Sequence, residues 1–121
     1  MKKSNARRPV LAPQLSIGLD LGSQEAHACV ISRDGTVVEE RVVAMTPAHL
    51  REAFEGRERA TIVLEATTQA GWVARLLEEL GHEVLVCNPR RLKLIACSTL
   101  KTDKLDAEIL GRLARLAQLH V

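Results

Sequence analysis

Four carboxylates stand at positions where a packed fold has little use for them: Asp20, Glu65, Asp103 and Asp106. Asp20 lies between Gly18 and Gly22, and small neighbours on one face leave room for a metal or a phosphate to approach the backbone. An Asp-x-Gly sequence is also an ordinary strand ending. Glu65 closes the apolar run Ile62-Val63-Leu64. The carboxyl end of such a strand is where open α/β sheets bind ligands, although a strand that simply surfaces can end on an acid too. Asp103 and Asp106 are three apart, so on a helix they share a face and repel unless something neutralises them.

A helix capped by Thr102 and running over 103–120 separates into two arcs at about 100° per residue. Lys104, Glu108, Gly111, Arg112, Arg115 and Gln118 form the polar arc, and Leu105, Ile109, Leu110, Leu113, Leu116 and Ala117 the apolar one. Asp106 projects into the apolar arc near Leu113 and Ala117, with Asp103 at its edge beside Leu110 and Ala114. The helix dipole favours acids at an N-terminus, which explains Asp103 more easily than Asp106. The four acids are oxygen donors without a nearby His or Cys, a set that selects Mg²⁺ or Mn²⁺ over zinc. Two such ions about 4 Å apart can activate a nucleophile and stabilise the leaving oxygen in phosphoryl transfer. Arg90, Arg91, Lys93, Lys101 and Lys104 precede and overlap the second pair of acids, placing phosphate-binding charge beside them. Ser98, with no paired base, reads as a loop or cap serine.

The elements that must position these residues are legible in outline. Leu15, Ile17, Leu19 and Leu21 alternate with small or polar residues, the period of a strand. Ala26–Ile31 is a second strand, Arg33-Asp34-Gly35-Thr36 a hairpin turn, and Thr36–Val43 the returning strand. Thr46-Pro47 opens a short helix toward Phe54. Ala60–Glu65 is a buried strand, residues 70–80 an amphipathic helix stopped by Gly81, and Glu83–Cys87 a fifth strand ended by Asn88-Pro89. A hairpin set followed by strand–helix crossovers predicts a mixed α/β sheet flanked by helices.

With 121 residues, 46% of them hydrophobic, the chain is one domain and not a disordered one. One Phe, one Trp and no Tyr argue against base recognition on aromatic platforms. No apolar run approaches a membrane span, and the basic start lacks a signal peptide's apolar segment. Cys29, Cys87 and Cys97 form neither a disulfide framework nor a zinc spacing, which suits a reducing cytoplasm. The four histidines are spaced too irregularly for a ligand set. The net charge of +2 is segregated: residues 1–14 carry four bases and no acid, 15–87 six bases against twelve acids, and 88–121 seven bases against three acids. Basic ends around an acidic middle suit a polyanionic partner, with residues 1–14 as an arm before a domain over 15–121; a solvated surface with a loose tail explains that arm equally well.

The pieces Ile17-Gly-Leu-Asp-Leu-Gly-Ser23, Val63-Leu-Glu-Ala-Thr67, Gly81-His-Glu-Val84, Asn88-Pro-Arg-Arg91 and Lys101-Thr-Asp-Lys-Leu-Asp-Ala107 occur in this order. Together they resemble the amino-terminal domain of the DEDD-type insertion-sequence transposases, the group associated with bridge-RNA-guided recombination. The resemblance covers residues 15–117. It implies a ribonuclease H-like, RuvC-like fold, with Asp20, Glu65, Asp103 and Asp106 binding Mg²⁺ for DNA strand cleavage and transfer. It also implies DNA as substrate and a guide RNA as a candidate partner. Family members continue into a second domain that supplies a serine nucleophile, so this chain is expected to be a catalytic fragment, inactive alone. Leucines such as Leu116, left uncovered, would then favour a homo-oligomer. Two other readings compete: a non-catalytic nucleic-acid-binding module of the same fold, and a fragment of an actin-like ATPase or sugar kinase. The latter should show a second phosphate loop and an adenosine pocket, and the sequence has neither.

Overall fold

The computed structural model describes residues 15–88 and 106–119. Five strands, β1 (Leu15–Leu21), β2 (Glu25–Ile31), β3 (Val37–Ala44), β4 (Ala60–Glu65) and β5 (Glu83–Cys87), form one sheet in the order β3-β2-β1-β4-β5. The first three pair antiparallel, while β1–β4 and β4–β5 are parallel. The mixed sheet that the sequence pattern predicts is present, and its strand order is that of the ribonuclease H-like fold that the resemblance implies. Helices α1 (Pro47–Phe54) and α2 (Ala70–Glu79) cover one face, and α3 (Ala107–Leu119) the other.

Local chemistry sets most boundaries. Thr46 caps α1 by accepting the His49 N–H at 3.2 Å, with Pro47 at the first helical position. Beyond α2, Gly81 takes a φ of 99°, and the Gly81 and His82 N–H groups return to the Glu78 and Leu77 carbonyls. That double bond is a Schellman ending, for which a residue without Cβ is the natural choice. In the β2–β3 hairpin Gly35 has a φ of 94°, and the Asp34 carboxylate accepts from the Ser32 hydroxyl and the Thr36 N–H. These bonds hold the Asp34 carboxyl down at about 2.

The larger core lies under α1 and α2, where Ile17, Leu19, Ile62 and Leu64 meet Leu50, Phe54, Val73 and Leu77. His82 is buried at its edge. Its Nδ1 accepts the Ala60 N–H at 3.1 Å, so Nε2 carries the proton and donates to the Phe54 carbonyl at 3.0 Å. One imidazole thereby ties the end of α1 to the starts of β4 and β5. The opposite face is packed differently. An ideal Cβ on Gly18 would stand 1.9 Å from the Ala107 carbonyl oxygen and 2.2 Å from the Gly111 nitrogen. No side chain fits there, and α3 rests directly on the backbone of β1.

That contact corrects two expectations. The room beside Gly18 is not open space for a ligand, because the backbone of α3 fills it. The buried stripe of α3 is Ala107, Leu110, Gly111 and Ala114, so Gly111 leaves the polar arc and Leu116 remains 45% exposed. Small residues let two backbones approach closely, so the stripe that meets β1 is the small-residue one and not the leucine-rich arc. Gln118 also turns inward, donating to the Leu15 carbonyl at 2.9 Å and the Thr61 hydroxyl at 3.1 Å.

Candidate nucleic-acid and metal site at the carboxyl ends of β1 and β4

Asp20 and Glu65 each stand one residue beyond the paired Leu19 and Leu64 of neighbouring parallel strands. Side chains alternate along a strand, and Leu19 and Leu64 point into the larger core. Asp20 and Glu65 therefore share the opposite face, the one that carries α3. They stand side by side, about 4.8 Å apart in strand spacing, where β1 and β4 run out. Both are half-buried.

The direction of α3 places the third acid. Ala107 lies over Gly18 while Gln118 reaches back to Leu15, so the helix runs antiparallel to β1. Its N-terminus, with Asp106, comes to the end of the sheet where Asp20 and Glu65 stand. Asp106 is exposed and lies outside the helix as its N-cap. Its Oδ1 accepts the Ile109 N–H at 3.0 Å, and its carbonyl accepts the Leu110 N–H at 3.0 Å. This corrects the projection that set Asp106 in a buried apolar arc. The stabilisation of an acid at a helix N-terminus belongs to Asp106 itself. Thr102, Asp103 and the bases Arg90, Arg91, Lys93, Lys101 and Lys104 lie outside the described residues, as do Cys97 and Ser98. The segment that carries them joins Asn88, one residue beyond the Glu65–Cys87 pair at the end of β5, to Asp106.

A cleft of about 440 Å³ opens at the same end of β1 and is lined by Asp20, Gly22, Ser23, Gln24, Glu25 and His27. Irregular spacing in the chain hides His27, yet the hairpin register sets it directly opposite Asp20. Asp20 and His27 are seven positions apart across a short turn between two antiparallel strands, and that spacing is the signal that could have found the pair.

The donor chemistry suits a hard divalent ion: carboxylates on two adjoining strand ends and at one helix N-terminus, all at one corner of the sheet. Among the described residues, no three His, Cys, Asp or Glu side chains are grouped closely enough to hold a metal ion. Cys29 and Cys87, the two described thiols, are held protonated and are unsuited to ligation. Burial raises Cys29 to about 11, helped by the nearby carboxylates of Glu40, Glu108 and Asp106, and burial also raises Cys87. Arg112 and Arg115 are engaged with the hairpin, donating to the carbonyls of Gly35 at 3.1 Å and Arg33 at 3.2 Å. Among the described residues, no helix is long and apolar enough to cross a membrane.

Comparison with known proteins adds the family. No curated protein matches the sequence. Among solved structures, the chain is similar to the ethanolamine utilization protein EutJ from Carboxydothermus hydrogenoformans, at 15% identity and a TM-score of 0.49. The match covers 71% of this chain and 41% of that one, so the chain spans less than half of that structure's length. Residues 17–121 match the sequence model of the DEDD transposases of the IS110 group, described as transposase. That match takes in every strand but the first two residues of β1, together with the whole Asp20–Glu65–Asp106 corner, and the chain belongs to this transposase family.

Proposed function

We propose that residues 15–121 are the catalytic domain of a DNA transposase, acting in Mg²⁺- or Mn²⁺-dependent DNA strand cleavage and transfer. Residues 1–14 would be a basic arm preceding it. The observation that carries the reading is the in-phase placement of Asp20 and Glu65 on adjoining parallel strand ends, with the N-terminus of α3 brought to the same corner. Asp20, Glu65 and Asp106, joined by Asp103, would hold the ion. When bound, the ion would polarise a phosphodiester oxygen and lower the cost of charge building up on the attacking and leaving oxygens.

The chain's own residues do the rest. Asp20 and Glu65 present two acceptors on one rigid pair of strands, so their spacing is set by the sheet and not by loop motion. Asp106 is held by the Ile109 N–H, which fixes its carboxylate while leaving lone-pair positions on the same group for a second partner. Arg90, Arg91, Lys93, Lys101 and Lys104 supply positive charge to DNA phosphates from the segment that joins Asn88 to Asp106. The same proposal takes a guide RNA as a candidate partner and a second copy of the chain as a neighbour at the exposed Leu116.

The test is a Mn²⁺ titration by calorimetry on the chain and on Asp20→Asn, Glu65→Gln, Asp103→Asn and Asp106→Asn, with and without ATP. Saturable binding that each substitution weakens, and that ATP leaves unchanged, is the expected result. Binding that appears only with ATP would return the actin-like reading. Binding indifferent to all four substitutions would remove the acids from the site.

A further inference from the structure

We propose that His27 is a phosphate-positioning residue of this site, its imidazole N–H donating to a non-bridging oxygen of the nucleic-acid strand held at the Asp20–Glu65 corner. The inference rests on the nucleic-acid reading above and adds a residue that lies outside its four acids. Asp20 and His27 are direct partners in the antiparallel β1–β2 ladder, and such partners point to the same face. One pair back, Gly18 and Cys29 lie beneath α3: Gly18 touches Ala107 and Gly111, and Cys29 packs with Ala107. The Asp20–His27 pair is therefore the first step of the ladder beyond the end of the helix. Nothing on β3 closes over it, since the residue opposite His27 is Val42, itself 55% exposed.

His27 lines the cleft with Asp20, and Ser23 and Gln24 add a hydroxyl and an amide to its wall. A phosphate brought to this corner meets the carboxylates of Asp20 and Glu25, which repel it. A neutral imidazole always carries one N–H, and His27 is a side-chain donor set directly beside Asp20. Its Nε2 stands 3.6 Å from a Glu25 carboxylate oxygen, an ion-pair contact when the ring is protonated but too long for a hydrogen bond, so Glu25 does not fix the ring's N–H. Asp20, Glu25 and His27 do not group as a metal-holding set. Contact with phosphate, and not ligation of the ion, is the role this placement gives the imidazole.

Two measurements on the chain, on His27→Ala, on His27→Gln and on Asp20→Asn test the proposal. The first is the affinity for a fluorescein-labelled single-stranded oligonucleotide by anisotropy, with Mg²⁺ present. The second is Mn²⁺ affinity without nucleic acid, read by electron paramagnetic resonance. His27→Ala is expected to weaken oligonucleotide binding about tenfold, the worth of one hydrogen bond to a charged group. His27→Gln, which restores an N–H donor, should recover most of that loss, and both variants should bind Mn²⁺ like the parent. Unchanged oligonucleotide binding in His27→Ala overturns the proposal, and so does a loss of Mn²⁺ affinity in both His27 variants, which would make the imidazole a metal ligand. Failure of the wider reading looks different: Asp20→Asn would then match the parent in both measurements, or the parent would bind neither probe.

Discussion

Asp106 performs a structural task that can be separated from a chemical one. As the N-cap of α3 it satisfies the Ile109 N–H, and Asn at such a position caps about as well as Asp. Asp106→Asn is therefore expected to unfold at nearly the parental urea midpoint while losing Mn²⁺ affinity. Asp106→Ala should lose both, with about 1 kcal/mol of stability gone with the cap. If the Asn variant binds Mn²⁺ like the parent, Asp106 is a cap and nothing more. The sequence marks this residue as unusual but misjudges why. A helical projection assumes that the helix already includes the residue, whereas a cap stands just before it, with its side chain turned back toward the first N–H groups. Glu65 shows the opposite case. Its place at the end of an unbroken β-branched and apolar run is legible from the run itself, and β4 ends on it as expected.

Among the elements, α3 depends on a contact that no helical periodicity reveals. Gly18 and Gly111 face each other across the helix–strand interface, and an ideal Cβ on Gly111 would already lie 3.0 Å from Ile31 Cδ1 and 3.2 Å from the Gly18 nitrogen. The Gly18 position is tighter, and backbone atoms cannot rotate away as a side chain would. Gly18→Ala should cost about 1–3 kcal/mol or more, the usual penalty for overpacking. Thermal unfolding measures that cost. Because α3 carries Asp106 to the corner, the same substitution should also weaken Mn²⁺ binding beyond what global stability explains. A variant with parental stability and metal affinity would mean that α3 does not rest on β1 as described. The hairpins and α1, by contrast, are written locally: Asp34-Gly35 and Thr46-Pro47 specify their own turns and caps, and their predicted bounds hold to within a residue or two.

Across the whole molecule, Arg57 joins parts of the chain that no short-range signal connects. Its guanidinium donates to both Glu39 carboxylate oxygens at 2.8 and 3.3 Å and to the Ala53 carbonyl at 3.2 Å, clamping the end of α1 to β3. The hydrogen bonds from Arg57, reinforced by its charge, hold the Glu39 carboxyl below the ordinary glutamate range. A carboxyl whose folded pKa is depressed stabilises the fold above its unfolded pKa, and that contribution fades as pH falls through the folded value. Glu39→Gln should thus be less stable than the parent at neutral pH, and the difference in urea midpoint should shrink on acidification below the glutamate range. A pH-independent difference would mean that the pair contributes through packing alone. Glu39 is partly exposed, so solvent screening keeps the effect modest.

The sequence by itself determined the alternation of strands, the hairpin, the caps, the mixed sheet and the types and approximate stations of the acids. All of these follow from local rules: a period of two, turn residues with φ above zero, and carboxyl ends of buried strands. What only the tertiary structure decided is which residues meet. Parallel pairing of β1 with β4 sets Asp20 and Glu65 in phase, and the hairpin register sets His27 opposite Asp20. The seating of α3 on the bare backbone of Gly18 fixes both the inward stripe of that helix and the end of the sheet to which Asp106 is brought. The β1–β4 and α3–β1 contacts join segments tens of residues apart, while the Asp20–His27 pair turns on the register of a hairpin, and periodicity along a chain carries no term for either.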